Sequence, residues 1–190
     1  MAVRPRTLSL CSGVGGLDLG IHLALGGCTV GYVEREAYAA VVLVTRMEEA
    51  SLGPAPIWDD LGSFDGRRWR GAVDLVCVGF PCQPASVAGR RLGTADDRWL
   101  WPLIVRTIRD VEPAVVVIEN VRGLLTVNGG RAFGEVLGDL VGMGYRVAWR
   151  VLSAGVLPWR LSARVGGRQV EASAKSRLRR MAHGMAGRVD

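Results

Sequence analysis

Lysine is almost missing from this chain: of its 24 basic residues only Lys175 is a lysine. With abundant alanine, glycine and valine, that bias points to a GC-rich coding genome and carries no functional weight. No run of residues approaches the ~20 consecutive apolar positions of a membrane-spanning helix. The opening Met1-Ala2-Val3-Arg4-Pro5-Arg6 has no apolar signal core, so the expected location is the cytoplasm. The cysteines are few (Cys11, Cys28, Cys77 and Cys82) and contain no Cys-x-x-Cys pair. That excludes the usual zinc spacings and a disulfide framework, and leaves four reduced thiols with no metal. Internal repeats are also lacking. What is present is one domain's worth of chain, 190 residues at 49% hydrophobic. That length buries about two-thirds of its unfolded surface.

Charge is unevenly spread. Residues 1–150 hold 16 basic and 16 acidic side chains, whereas residues 151–190 hold 8 basic and 2 acidic, so the whole net charge of +6 lies in the tail. A basic tail suits a polyanion such as DNA. A solvated end with no partner would look the same.

The most informative stretch is Asp74 to Gly93, DLVCVGFPCQPASVAGRRLG. The apolar run Leu75 to Val78 ends abruptly at Gly79-Phe80-Pro81, which predicts a buried parallel strand followed by a loop. Ligands of open α/β sheets bind just beyond the carboxyl ends of the strands. Cys82 follows such an end, between Pro81 and Pro84, and is a candidate nucleophile. The bland alternative is a small buried apolar residue. Ala114 to Ile118 predicts a second buried strand, ending in Glu119-Asn120-Val121. Glu119 would then project into the same crevice as Cys82, or else be a solvated strand-end carboxylate.

The remaining chain alternates. A strand is expected over Thr7 to Cys11, then the turn Ser12-Gly13-Val14-Gly15-Gly16 and a helix from about Leu17. Glycines between a strand and a helix allow a ligand close to the backbone, and the helix start offers free N–H groups. The next strand, Thr29 to Val33, ends at Glu34. That acid lies about 20 residues beyond the glycines, where Rossmann-like folds bind ribose hydroxyls. Ala37 to Glu48 reads as a helix, and Asp59-Asp60 as a helix or turn cap. Helices are expected over Trp99 to Arg109 and Ala132 to Val141. Tyr145 to Leu152 alternates like a strand. The fold class expected is α/β, a Rossmann-like doubly wound, mostly parallel sheet.

GFPCQPxSxxG over Gly79 to Gly89, followed by a strand ending in ENV at Glu119 to Val121, resembles the DNA cytosine-5 methyltransferase family. The resemblance implies the fold of S-adenosylmethionine-dependent methyltransferases and gives several residues a role. Ser12, Gly13, Val14, Gly15, Gly16 and Leu17 would wrap the methionine part of S-adenosylmethionine. Glu34 would bind its ribose. Arg35 falls where the family often has an apolar or aromatic residue beside the adenine. Ile57-Trp58-Asp59-Asp60 is similar to a third motif, in which Asp59 would bond the adenine amino group, with Asp60 next to it. Pro81, Leu100 and Trp101 would line the cofactor pocket.

For the chemistry, the family pattern makes Cys82 the nucleophile that adds to C6 of a cytosine flipped out of double-stranded DNA. Glu119 would bond N3 and the exocyclic amine. Gln83, Ser86, Arg90 and Arg91 would face DNA, the arginines binding phosphate or raising the thiolate fraction. A DNA partner would also make the protein nucleoid-associated.

The resemblance runs from residue 7 to about 154, then degrades. Leu152-Ser153-Ala154 is similar to the start of an eighth motif, whose arginine segment is replaced by Pro158 to Arg164; Arg160 and Arg164 are the candidate substitutes. Residues 181–190 resemble a segment that precedes the family's last motif. The target-recognition region and that last motif are not found. The expected organisation is a catalytic core over 1–154 and a basic remnant over 155–190. Three classes follow: an enzyme, a remnant that binds cofactor or DNA without turnover, and a chain completed by a second polypeptide.

Overall fold

The computed structural model describes residues 4–81 and 99–152, and the backbone of two short strands at 162–165 and 168–171. The chain divides into a unit Met1–Val147 and a unit Ala148–Asp190.

The first unit holds five strands: β1 (Arg6–Leu10), β2 (Cys28–Val33), β3 (Ile57–Trp58), β4 (Leu75–Gly79) and β5 (Val115–Glu119). They form one sheet in the order β3-β2-β1-β4-β5. Every pairing is parallel. All five carboxyl ends therefore lie on one edge. The chain moves outward from β1 through β2 to β3, then returns to the far side of β1 for β4 and β5. This reversal opens a crevice between the ends of β1 and β4, the place where open α/β sheets bind ligands.

Period-two alternation sorts the side chains onto two faces. On β1 and β4, Leu8, Leu10, Val76 and Val78 join the main core with α3 (Trp101–Val111) and α4 (Arg131–Gly142). Leu75 and Cys77 turn the other way and pack on Ile21 of α1 (Gly16–Leu25). Tyr32 takes that same side and meets Leu43 of α2 (Ala37–Glu48). Apolar burial on both faces is why β4 reads as a continuous hydrophobic run.

Helix boundaries have local causes. The Glu36 side chain caps α2, accepting the N–H groups of Tyr38 and Ala39 at 3.1 and 2.6 Å. Helix α3 carries Pro102 at its start, where the missing N–H costs nothing. Its Trp101 is fully buried and donates its indole N–H to Asp139 Oδ2 on α4 at 2.8 Å. Trp101 therefore packs α3 into the core. Replacing it by alanine should cost about 3–5 kcal/mol of unfolding free energy. Urea denaturation measures this, and a loss below about 1 kcal/mol would contradict the packing described.

One expected element is absent. Residues 145–152 alternate in sequence but form no strand. Instead Tyr145 donates its N–H to the Leu140 carbonyl at 3.0 Å and its hydroxyl to the Pro113 carbonyl at 2.7 Å. These bonds hold the segment's start against the end of α4 and the approach to β5. Conversely, the basic tail contains an antiparallel pair that the charge reading did not anticipate. Strands β6 (Ser162–Val165) and β7 (Arg168–Glu171) run from Ser162 opposite Glu171 to Val165 opposite Arg168. Arg164 lies in this pair opposite Gln169.

Candidate active site

The crevice is built first by β1. Its chain turns at Cys11, which adopts φ 51°, and then at Gly13 and Gly15 with φ 53° and 77°. Side chains with a Cβ rarely hold such angles. Gly15 is also crowded: a Cβ there would fall 2.6 Å from Leu52 Cδ1 and 2.9 Å from Leu43 Cδ2. At Gly13 and Gly16 the Cβ position is open, with no atom within 4 Å. The loop thus presents a bare backbone surface on one side and packs against α2 through Gly15 on the other.

Glu34, one residue past β2, reaches back to this loop. Its Oε2 accepts the Gly13 N–H at 2.6 Å and its Oε1 accepts the Glu36 N–H at 2.7 Å. The sequence separates these groups by 21 residues. The structure brings them together because β1 and β2 are adjacent parallel strands with Leu10 beside Val33. Ser12 completes the join, donating its N–H to the Val33 carbonyl at 3.2 Å and its hydroxyl to the Ser9 carbonyl at 3.2 Å. Val14 is exposed and Leu17 is half-buried.

Beyond β3, Asp59 and Asp60 are both exposed. Asp60 acts as a turn cap, accepting the N–H groups of Gly62 and Ser63 at 2.9 and 3.0 Å. The Gly62 N–H and the Ser63 hydroxyl hold its carboxyl below the usual carboxylate range. Asp59 makes no such local bond and is the freer of the two. The neighbouring Arg35 is exposed.

The other wall comes from β4 and β5. Gly79 lies opposite Glu119 in the register. A Cβ at Gly79 would sit 3.7 Å from Glu119 Oε2 and 3.7 Å from the Cys11 carbonyl oxygen. The Glu119 carboxylate therefore leans over the end of β4, toward the end of β1. Asn120 donates from Nδ2 to the Phe80 carbonyl at 2.8 Å, tying the exit of β5 to the exit of β4. A bond across 40 residues has no local signal, so this staple is not legible in the sequence.

Pro81 is exposed at the start of the loop. Cys82, Gln83, Ser86, Arg90 and Arg91 lie outside the described residues, as does Arg160. The described residues on either side of Cys82 are nevertheless fixed. Phe80 before it and Trp99 after it are both buried, with ring centroids 5.7 Å apart and edge to face. Leu100, half-buried, follows directly and packs against the main core.

The other thiols are poorly suited to nucleophilic work. Cys77 is fully buried inside β4, and its pKa is raised first by burial and then by the nearby Asp18 carboxylate. Burial, with Glu34 adding to it, pushes Cys11 up to about 12. Cys28 is exposed, but it begins β2 and sits at the amino edge of the sheet, away from the crevice. Among the described residues no cluster of histidine, cysteine and acid could hold a metal ion.

A glycine turn after β1, an acid after β2 and another acid ending β5, all on one edge at a topological switch point, define a doubly wound α/β protein with its ligand crevice there. The chain belongs to the C-5 cytosine-specific DNA methylase family, whose model matches residues 5–156. Among its relatives are two bacterial type II methyltransferases. M.PspPI of Psychrobacter sp. (strain TA137) is 37% identical over 152 residues, covering 77% of this chain and 35% of the relative. M.NgoMIV of Neisseria gonorrhoeae is 32% identical over 148 residues, covering 78% and 46%. The chain thus spans between about a third and a half of these relatives' length. Its fold resembles that of a Spodoptera frugiperda DNMT2 variant, with a TM-score of 0.53 and 21% identity over 71% of this chain and 41% of that one.

Proposed function

We propose that this chain carries the catalytic core of a DNA cytosine-5 methyltransferase, with Cys82 as nucleophile and Glu119 as its partner acid. The observation that supports this most is the register of Gly79 with Glu119. Cys82 follows Gly79 by three residues, which span at most about 11 Å of extended chain. A cysteine on so short a tether from the strand end over which the Glu119 carboxylate leans is what a flipped cytosine would require. C5 of cytosine is too weak a nucleophile to accept a methyl group unaided. Addition of the Cys82 thiolate to C6 makes C5 part of an enamine, while Glu119 bonds N3 and the exocyclic amine. After methylation, loss of the C5 proton expels the thiolate and restores the ring.

S-Adenosylmethionine, when bound, supplies an electrophilic sulfonium methyl. The residues present fit it. The open Cβ positions at Gly13 and Gly16 leave room for a ligand against the backbone from Ser12 to Leu17. Each Glu34 oxygen accepts one N–H and keeps a second lone pair for a ribose hydroxyl. Asp59, with no local bond, is the acid free to meet the adenine amine, and Arg35, Pro81 and Leu100 would lie at the pocket's rim. Asp60 would act there only by shaping the turn. On this reading Glu34→Ala removes a ribose contact and also unclamps Gly13. Cofactor affinity should then fall by roughly 1–3 kcal/mol, about 5- to 150-fold. Titration calorimetry measures this, and an unchanged dissociation constant would count against the assignment.

Duplex DNA containing 5-fluorocytosine tests the chemistry. Fluorine cannot leave as the proton does, so the enzyme should be trapped covalently within its first turnover, after methyl transfer to C5. Peptide mapping should find the adduct on Cys82. An adduct on Cys11 or Cys77 would overturn the nucleophile, and no adduct after long stoichiometric incubation would overturn the reaction. Gln83, Ser86, Arg90 and Arg91 are proposed to meet DNA from the same loop. Target recognition is proposed to come from a region outside the matched residues 5–156, on this chain or on a second polypeptide; the match covers 35% and 46% of the two relatives.

A further inference from the structure

Asp18 has no part in the chemistry above, yet it is the most completely buried carboxylate among the described residues, at 1% exposure. It is the third residue of α1, which begins immediately after the glycine turn. Its Oδ2 accepts the Ser9 hydroxyl of β1 at 2.9 Å. Its Oδ1 accepts the Thr29 hydroxyl of β2 at 3.0 Å and faces the Cys77 thiol of β4 at 3.7 Å. One side chain thus ties the first turn of the helix to three adjacent strands. Burying a carboxylate is unfavourable unless donors surround it, and burial does raise its pKa while Ser9 and Thr29 oppose the rise.

The geometry frames the glycine loop. Ser9 lies before the loop and Asp18 after it, and their bond closes the chain across nine residues. Ser12 is joined to the same point, through its hydroxyl to the Ser9 carbonyl. Helix α1 has no side-chain cap at Gly15, so no cap holds its first turn in place. This buried carboxylate, together with the Glu34 bond to Gly13 and the packing of Gly15, fixes how the N–H groups of the loop and helix start face the crevice.

We propose that Asp18 is a positioning residue for cofactor binding: through Ser9, Thr29 and Cys77 it locks the start of α1, and with it the Ser12 to Gly16 loop, into the shape that receives S-adenosylmethionine. This rests on the cofactor site proposed above. The side chain never touches the ligand. Its effect is on the loop's pre-organisation, because a loop that must be ordered on binding costs affinity.

The test uses the full chain and three variants: Asp18→Ala, Asp18→Asn and Ile21→Ala. Ile21 is on the same helix, buried against Leu75 and Cys77, but one turn further from the loop. Affinity for S-adenosylhomocysteine is measured by calorimetry well below every variant's melting transition. Asp18→Ala should bind about tenfold or more weakly, and Asp18→Asn, which keeps polar partners for Ser9 and Thr29, within about threefold of the parent. Ile21→Ala should lose at least as much thermal stability as Asp18→Ala yet keep its affinity within about threefold. Hydrogen exchange without any ligand supplies the second readout. The Gly13 and Gly15 amides, bonded to Glu34 and to the Ser12 carbonyl, should exchange faster in Asp18→Ala and not in Ile21→Ala.

Unchanged affinity and unchanged loop exchange in Asp18→Ala would overturn the proposal. So would a loss of affinity in Ile21→Ala that matches the loss in Asp18→Ala, because affinity would then only follow stability. If Asp18→Ala does not fold, Ser9→Ala and Thr29→Val replace it, each expected to weaken binding severalfold, and parental affinity in both has the same overturning force. A parent chain that does not bind S-adenosylhomocysteine would defeat the cofactor site itself, while the ligand-free exchange comparison would still decide whether Asp18 holds the loop.

Discussion

Cys82→Ser should lower the rate of methyl transfer by at least about a thousandfold, since the step it removes is covalent. A serine hydroxyl in the same place is almost wholly protonated at neutral pH, and Glu119 is proposed to bond the base, not to deprotonate the nucleophile. Without addition at C6, C5 never becomes nucleophilic. Cofactor affinity should stay at its parental value, because the thiol is proposed to meet the base and not the cofactor. Glu119→Gln should be milder, about 10²- to 10⁴-fold, since it removes proton handling but leaves the covalent route open. Tritiated methyl incorporation into mixed-sequence DNA, at enzyme in excess over sites, measures both. Retention of more than about a tenth of the parental rate by Cys82→Ser would sink the covalent mechanism. A Glu119→Gln enzyme as active as the parent would remove Glu119 from the site.

A polypeptide of these 190 residues alone should bind DNA weakly and turn over slowly. Phosphate contacts provide affinity and register, whereas base-edge contacts provide sequence. The excess positive charge lies in residues 151–190, with 8 basic and 2 acidic side chains. No reading module is recognisable in these 190 residues. Binding should therefore fall steeply with salt and show little sequence preference. A polypeptide carrying the rest of a relative's length should raise the methylation rate about a hundredfold or more by fixing the flipped base, a gain in positioning. Gel-shift titrations across a salt series and methylation with and without that polypeptide supply the readouts. Efficient site-specific methylation by the 190-residue chain alone would overturn this expectation.

The sheet was legible in the sequence because β4 is buried on both faces and β5, half-buried at the edge of the sheet, is apolar as well. Leu75 to Val78 and Ala114 to Ile118 are apolar without interruption, and no exposed amphipathic helix has that pattern. The structure extends the first to Gly79 and runs the second over Val115–Glu119. Helix α2 was legible at both ends, Ala37 and Glu48, because its cap and its apolar spacing are local. The resemblance, carried by Gly79 to Gly89 and Glu119 to Val121, agrees with the family shown by the match over residues 5–156.

Alternation misled at Tyr145 to Leu152. Period two states which residues share a face, but a strand also needs a neighbour, and Tyr145 is bound instead to Leu140 and Pro113. The opposite error lies at Ser162 to Glu171. There Gly166-Gly167 sits between two short segments, a recognised hairpin signal, but the run of arginines drew attention to charge alone.

What the sequence determined by itself is the set of elements and the order of the chemical groups: a glycine turn, Glu34, a proline-bounded cysteine, and Glu119. These depend on spacing, burial pattern and turn chemistry, all of which act within a few residues. Only the tertiary structure decided which groups meet. It set the Glu34 carboxylate on the Gly13 N–H, Glu119 over Gly79, and Asn120 on the Phe80 carbonyl. It also gathered Ser9, Thr29 and Cys77 around Asp18. Most of these contacts join residues 9 to 59 positions apart in the chain, and they exist because parallel strands align their ends. Sequence separation carries no record of that alignment; the strand order β3-β2-β1-β4-β5 does.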